Sequence, residues 1–311
     1  MSHIGFVDLF VPLGHPQKLV AMAREGGYTV IGALSSEVWT DGDLTTLSLP
    51  EVLNDDGSMR EIRSEVEATG ASMIYGGRSL GGNSLVLRNV MAYCSGIGVR
   101  LALIPDEEPL SRNAQVAEGR ASSLSGMTGF PRIAEVIGVF RAALLAREYG
   151  VPLHLHGIST REGLDQVRRW KADGLDVTCS VIALSLCMNE EDLIRSEWNP
   201  ALKGEIPLRS EDDRLALWAG VADGTVDAVT SGHSDVDPED RVVPFQMAPF
   251  GYTTLPGAAR SVVDVWRRDG YGVTPERLAS CLRSGPARLL GMTDLDDGLL
   301  LQDLINHDPT R

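Results

Sequence analysis

The stretch GFVDLFVPLGHP, residues 5–16, decides the fold, because an apolar strand runs directly into a turn marked by glycine and proline. A strand that is apolar at nearly every position is typical of a parallel sheet with both faces covered. Phe10 and Pro12 stand at its end, and neither side chain can bind a metal or transfer a proton. Strands are predicted at residues 4–9, 29–33, 72–75, 100–104, 152–156, 176–181 and 228–231.

Helix-like segments separate these strands. Seven strands, with a distorted eighth before Leu255, favour a closed (β/α)8 TIM barrel over an open doubly wound sheet. No G-x-G-x-x-G motif follows a strand and opens a helix, so a dinucleotide-binding fold is not indicated. We expect one domain over residues 1–311. Helices are predicted at residues 16–25, 59–68, 84–95, 131–149, 161–172, 211–223, 258–269 and 275–281.

Charge and composition exclude several classes of function. The formal net charge of -15 would repel a phosphate backbone, so nucleic-acid binding is not expected. The sequence contains no apolar run of about 18 residues, and its start lacks the pattern of a signal peptide, so no membrane association is expected. The four cysteines are scattered, which is typical of a reduced protein, and we expect a cytoplasmic location.

Barrels of this class carry their active sites at the carboxyl ends of the strands. His154 and His156 lie two apart on one strand and therefore point to the same side. They could be two ligands of a divalent metal completed by His233 or Asp235, or they could be hydrogen-bonded packing residues. The polar loop TSGHSDVDPEDR, residues 230–241, is the best candidate for proton transfer, with His233 as a base oriented by Asp235.

Two other loops offer candidate groups. The carboxylates of Asp106 and Glu107 could act as acid and base, or they could belong to an exposed acidic face. Arg78 lies between two glycine pairs in a loop that could hold an anion or could be an ordinary turn. No G-x-S-x-G motif is present, so the nucleophile elbow of an α/β-hydrolase is not indicated.

Several stretches together resemble the dihydroorotases and related cyclic amidohydrolases, in the family's order, from about residue 4 to 293. The resemblance implies a metal-dependent amidohydrolase barrel. The β-sandwich domain of that family is expected to be essentially absent, with a tail over about 294–311 (DDGLLLQDLINHD within it) as a remnant. The matching stretches are GFVDLFVPLGHP, GGYTVIGALSS, IPDEEPL, the long block ending in HLHGIST, DVTCSVIALSL, IPLRSEDDRLALWAGVADGTVDAVTSGHS, VPFQMAPFGYTTLPGA and SGPARLLGM.

The chain departs from this family where the family binds its metals. A bridging carboxylated lysine is also ruled out, because no lysine lies between Lys18 and Lys171. Since zinc needs three or four donors, we expect no metal and no other cofactor. The family's metal-binding histidines fall on Phe10, Pro12, Gly157 and either Leu184 or Ser185, its carboxylate-binding arginine on Gly14, its substrate-binding asparagine on Ser36 and its catalytic aspartate on Gly232.

The polar residues that remain form the predicted site. The predicted catalytic residues are His233, Asp235, His154, His156, Asp106 and Glu107. The predicted substrate-binding residues are Ser36, Arg78, His15, Arg209 and Ser231.

Three functions follow from the resemblance and its departures. The first is a metal-independent enzyme that acts on a C–N bond of a small cyclic amide, ureide or amino-acid derivative by cyclisation, elimination or hydrolysis. The second is an inactive homologue that serves as a structural or regulatory subunit, for example with aspartate transcarbamoylase as its partner. The third is a hydrolase whose metal has moved to His154, His156, His233 and Asp235. Because barrels of this family commonly dimerise, a homodimer is compatible with each.

Overall fold

The computed structural model describes residues 5–54, 56–293, 295, 297, 298, 300, 302 and 304. These residues form an α/β structure in which short buried strands alternate with helices. The strands are β1 (Phe6–Pro12), β2 (Tyr28–Leu34), β3 (Trp39–Asp41), β4 (Leu44–Ser48), β5 (Met73–Tyr75), β6 (Arg100–Leu103), β7 (Val116–Ala117), β8 (Gly129–Phe130), β9 (Leu153–Leu155), β10 (Val177–Ile182) and β11 (Ala228–Thr230).

Local sequence explains where several helices start and stop. The Asn83 side chain accepts hydrogen bonds from two backbone amides at the start of α3, and Gly98 ends that helix in the left-handed conformation. Ser210 and Asp213 form a capping box at the start of α10. The helices are α1 (Pro16–Gly26), α2 (Arg63–Thr69), α3 (Ser84–Ile97), α4 (Glu108–Ser111), α5 (Arg120–Ser125), α6 (Arg132–Tyr149), α7 (Arg161–Ala172), α8 (Ala183–Cys187), α9 (Glu190–Arg195), α10 (Glu211–Asp223), α11 (Ala258–Asp269), α12 (Pro275–Leu282) and α13 (Ser284–Leu289).

The parallel strands form one curled sheet, which is consistent with a TIM-like barrel. One part has the order β1-β2-β4, and the other has the order β11-β10-β9-β6-β5. A parallel bridge between Glu51 and Tyr75 joins the segment after β4 to β5. At the opposite edges, the Ser231 amide after β11 donates to the Asp8 carboxylate of β1 at 2.8 Å. Strand ends from both parts therefore face one region.

The strand predictions need two corrections. The sequence did not predict β3, β4, β7 or β8. Of these, β4 belongs to the parallel sheet: its residues LTTLS alternate between buried and half-buried positions and pair with β2. A short strand rich in threonine lacks the continuous apolar run on which the other strands were recognised. The distorted eighth strand expected before Leu255 is wrong, because that segment contributes only an isolated bridge between His233 and Tyr252.

Two apolar layers hold the sheet. The larger layer lies between helices and strands and includes the fully buried Trp218 and Trp266. The smaller layer contains strand residues that pack on one another, including Val7, Met73 and Phe10. Full burial of a side chain of this size contributes about 1.5–3 kcal/mol. Within the described residues, no helix has the length and apolarity that crossing a membrane requires.

Candidate functional site

A cavity of about 510 Å³ opens at the carboxyl ends of the parallel strands. This is the edge at which parallel α/β barrels place their ligands. Its wall receives residues from the ends of β1, β2, β10 and β11 and from the loops that follow β5, β6 and β9. The lining residues used below are Phe10, Glu51, Tyr75, Arg78, Glu108, His156, Ile182, Glu205, Ile206, Gly232, His233 and Tyr252.

His156 forms one wall of this cavity and is held firmly. Its ring packs against Phe10, with 4.4 Å between ring centroids, and lies edge-on to Tyr75 at 6.3 Å. Its Nδ1 lies 2.9 Å from the Ser180 hydroxyl oxygen, so Nε2 is the ring nitrogen left for a ligand. Burial lowers the pKa of His156 to about 3, so the ring is neutral at neutral pH.

A hydrogen-bonded chain continues behind His156 into the barrel. The Ser180 hydroxyl oxygen lies 3.0 Å from Nε2 of His154, and Nδ1 of His154 lies 2.9 Å from the Thr178 hydroxyl oxygen. His154 is fully buried, and burial lowers its pKa well below the ordinary value. Both ring nitrogens of His154 are therefore engaged within the protein. The residue supports the cavity wall but does not line the cavity.

His233 forms a second wall with very different surroundings. Its side chain is 3% exposed, and within the part of the chain that the structure describes neither ring nitrogen has a hydrogen-bond partner. Burial lowers its pKa to about 4, although the nearby Asp235 carboxylate partly offsets this effect. A buried imidazole without a partner costs free energy unless a ligand or water meets it.

Asp235 lies near His233 but does not line the cavity. Its Oδ1 pairs with the Lys18 ammonium at 2.5 Å, and this contact lowers the pKa of Asp235. His15 is exposed beside this pair. The structure thus places Asp235 within electrostatic range of His233 and gives it a lysine partner.

Asp8 is a buried acid that connects β1 to the loop carrying His233. Its Oδ1 accepts hydrogen bonds from the amides of Leu9 at 2.9 Å and Ser231 at 2.8 Å. Burial raises the pKa of Asp8 to about 6. The Ser231 hydroxyl in turn accepts from the His233 amide at 3.0 Å. Asp8 and Ser231 therefore act as supports beneath His233.

Arg78 lies where the main cavity meets a second one of about 390 Å³. Its guanidinium pairs with the fully buried Asp106 at 3.2 Å and donates to the Glu205 carbonyl oxygen. Ser111 also donates to the Asp106 carboxylate, at 2.7 Å. Glu107 points elsewhere and pairs with Arg141. Of the two predicted carboxylates, only Asp106 reaches a cavity.

Of the five predicted substrate-binding residues, Arg78 lines the main cavity, whereas Ser36, Arg209, His15 and Ser231 do not. The Ser36 hydroxyl donates to Glu65 at 3.1 Å on the surface. Arg209 is buried, donates to the Phe130 carbonyl oxygen at 2.6 Å and stacks over the Phe130 ring. The sequence reading missed Glu51, Tyr75, Glu205 and Tyr252, which line the cavity from loops or from β5. No motif marks them, since they meet only through the fold.

Gly157 and Gly232 are crowded by apolar side chains in this structure. A side-chain carbon at Gly157 would collide with Ile206, and one at Gly232 would lie 3.0 Å from Ile182. Ile206, Ile182 and Phe10 all belong to the cavity wall, so this part of the wall is apolar. Zinc requires three or four nitrogen, sulfur or oxygen donors. The described residues contain no group of three side chains able to hold a metal, so the site does not fit one.

The relocated metal site expected from the sequence also does not form among the described residues. His154 has both nitrogens bonded to Ser180 and Thr178, and Asp235 is paired with Lys18. Only two histidines of that set, His156 and His233, reach the cavity wall. That prediction is corrected on this geometry, because two donors are too few for a stable divalent metal site.

The fold and the cavity define a class: an α/β protein with a curled parallel sheet and a ligand site at the carboxyl ends of its strands. No family model matches the chain. It is 30% identical over 209 residues to a dihydroorotase of Caldanaerobacter subterraneus, covering 67% of this chain and 48% of that protein. It is 28% identical over 300 residues to a dihydroorotase of Streptomyces coelicolor, covering 86% of this chain and 70% of that protein.

Solved structures agree on the fold. A D-hydantoinase (dihydropyrimidinase) from Thermus sp. superposes with a TM-score of 0.75 at 17% identity, covering 93% of this chain and 71% of that chain. An L-hydantoinase from Arthrobacter aurescens gives a TM-score of 0.75 at 18% identity, covering 92% and 71%. The chain belongs to the cyclic amidohydrolase family. It spans about half the length of most of the curated dihydroorotases it matches.

Proposed function

We propose that this chain is a metal-independent enzyme that acts on a C–N bond of a small cyclic amide or ureide. The observation that carries the proposal is the pair of neutral, buried imidazoles, His156 and His233, which line one cavity and have ring nitrogens that no described protein group engages. The relatives are named for dihydroorotate and hydantoin, which are cyclic amides or ureides. We infer the reaction type and the substrate class of this chain from its cavity and not from the names of its relatives.

The donor and the acceptor of each hydrogen bond between Thr178, His154, Ser180 and His156 can be assigned in turn. The Thr178 hydroxyl donates to the Leu153 carbonyl oxygen at 3.3 Å, so it accepts from Nδ1 of His154. A neutral His154 then has an unprotonated Nε2, to which the Ser180 hydroxyl donates. Ser180 therefore accepts from Nδ1 of His156, and Nε2 of His156 is left as an acceptor toward the cavity.

This arrangement complements the edge of a cyclic amide, which presents an N–H beside a carbonyl oxygen. Nε2 of His156 accepts the N–H, and the N–H of His233 donates to the carbonyl oxygen. In ring closure, the attacking nitrogen forms the new C–N bond to the carboxyl carbon and transfers its proton to His156, while His233 stabilises the charge that develops on the carbonyl oxygen. The carboxyl C–OH bond then breaks, and the hydroxyl leaves as water with the proton that His156 returns. Ring closure and elimination need no activated water, so they suit a cavity whose floor is apolar.

An inactive structural or regulatory subunit is the second candidate. It is favoured by the same burial that makes both imidazoles weak bases, with pKa values of about 3 and 4. In that case the cavity binds a ligand without converting it, and the partner is a transcarbamoylase or a second copy of the chain. The single-domain organisation, the missing β-sandwich and the cytoplasmic location remain predictions alongside both candidates.

Turnover after metal removal tests the proposal. The protein is dialysed against a chelator, its zinc and manganese contents are measured, and ring opening and closure are followed on hydantoin, dihydrouracil and their open-chain forms. We expect turnover that is unchanged by chelation. Turnover that disappears with the metal and returns with zinc contradicts metal independence. Binding without turnover under both conditions instead supports the inactive candidate.

A further inference from the structure

Two carboxylates line the cavity without a positively charged partner. Glu51 and Glu205 are both exposed at its mouth, and among the described residues neither forms an ion pair. Both carboxylates act on the Tyr75 phenol: burial raises the pKa of Tyr75, and the charges of Glu205 and Glu51 raise it further. Both carboxylates therefore lie within electrostatic range of the Tyr75 hydroxyl, as does the Arg78 guanidinium, which lowers the pKa of Tyr75.

The other charged groups of this wall are already neutralised. Arg78 is the one guanidinium among the described lining residues, and it is held by Asp106 and by the Glu205 carbonyl oxygen. Glu108 receives two hydrogen bonds of 2.9 Å from Arg112. The Arg78–Asp106 and Glu108–Arg112 pairs are each neutral in sum. The charges of Glu51 and Glu205 therefore remain, and they make the electrostatic potential in the cavity negative. The net charge of -15 over the whole chain adds to this field.

A second observation concerns His233, a buried polar side chain in the same cavity wall. His233 is only 3% exposed, and its two ring nitrogens have no hydrogen-bond partner within the described residues. It lines the same cavity as Glu51 and Glu205. A buried imidazole in this state needs a hydrogen-bond partner, such as a ligand or an ordered water.

We propose that the cavity selects a cyclic amide or ureide whose ring carries an ammonium-bearing substituent. This inference rests on the proposed function and names the substrate class of that site. The ring hydrogen-bonds to His156 and His233, and the ammonium lies beside Tyr75, between the carboxylates of Glu51 and Glu205. A carboxylate on the substituent, as in dihydroorotate, meets repulsion here and finds no free cation among the described lining residues.

Three hydantoins with side chains of equal length test the inference, one ending in an ammonium, one in a methyl group and one in a carboxylate. Titration calorimetry on the full chain measures their affinities. We expect the ammonium compound to bind about tenfold more tightly than the methyl compound, and the carboxylate compound to bind most weakly. The preference should shrink at high salt, because both glutamates are exposed.

Glu205→Gln and Glu51→Gln should each reduce the preference for the ammonium compound by roughly threefold and leave binding of the methyl compound unchanged. Glu67→Gln, at an exposed glutamate on α2, is the matched control and should change nothing. Equal binding of the ammonium and methyl compounds, or tightest binding of the carboxylate, overturns the inference and leaves the proposed function standing. Failure of all three compounds to bind overturns the proposed function together with this inference.

Discussion

The wall around His156 and the wall around His233 differ in how the protein satisfies a buried imidazole. His156 is hydrogen-bonded to Ser180, Ser180 is hydrogen-bonded to His154, and the other ring nitrogen of His154 is held by Thr178. His233 has a neutral ring of similar burial and no protein partner among the described residues. One wall thus presents an acceptor in a set orientation, whereas the other can adapt its tautomer to whatever the cavity receives.

The largest expected difference between the two walls is in turnover, when the hydrogen-bond acceptor of His156 is removed. His156→Ala should reduce turnover about a hundredfold, because general acid–base groups contribute on this scale. His233→Ala should lower kcat by a smaller factor and also raise KM, because its N–H binds the carbonyl oxygen of the substrate and stabilises the charge that develops on it. Steady-state kinetics on the same cyclic substrate measure both. His233→Ala that lowers kcat as much as His156→Ala removes the distinction.

Asp8 tests the support beneath His233. The folded protein holds the pKa of Asp8 at about 6 against 3.8 for the ordinary group, so its contribution to stability is present below pH 3.8 and is lost as pH rises through 6. The lost contribution is about 3 kcal/mol. We compare the free energy of unfolding of the wild type with that of Asp8→Asn. The difference, wild type minus variant, should fall by this amount as the pH rises from below 3.8 to above 6.

Urea unfolding at a series of pH values measures this difference. Asp235→Asn serves as the control, because Asp235 is paired with Lys18 at the surface and its pKa is lowered, not raised. Its own contribution should follow the opposite trend with pH. A pH-independent difference for Asp8→Asn would show that folding leaves the pKa of Asp8 at its ordinary value.

The smallest effect on turnover is expected for Ser180, which joins His156 of the cavity wall to His154 behind it. Ser180→Ala leaves Nδ1 of His156 and Nε2 of His154 without their partner, at a cost of about 1–3 kcal/mol. Turnover should fall by roughly tenfold. Nitrogen NMR of the imidazoles should show His156 changing from one tautomer to a mixture. An unchanged His156 tautomer would mean that Ser180 does not orient the ring.

Much of the fold follows from local sequence. Residues 5–16 predict the first buried strand, and β1 is found at Phe6–Pro12 within them. Capping residues such as Asn83 and Ser210 start helices where the pattern predicts them. The prediction failed at β4 because this strand is short and half-buried. Its pairing with β2, and not its composition, makes it a strand.

The sequence by itself determined the alternation of strands and helices, the apolar residues at Phe10 and Pro12, and the two histidines of the strand over residues 152–156. Only the tertiary structure decided which groups face a ligand. His154 and His156 are two residues apart, yet one is consumed by Ser180 and Thr178 and the other lines the cavity. Hydrogen-bond partners come from neighbouring strands, and sequence spacing carries no information about them.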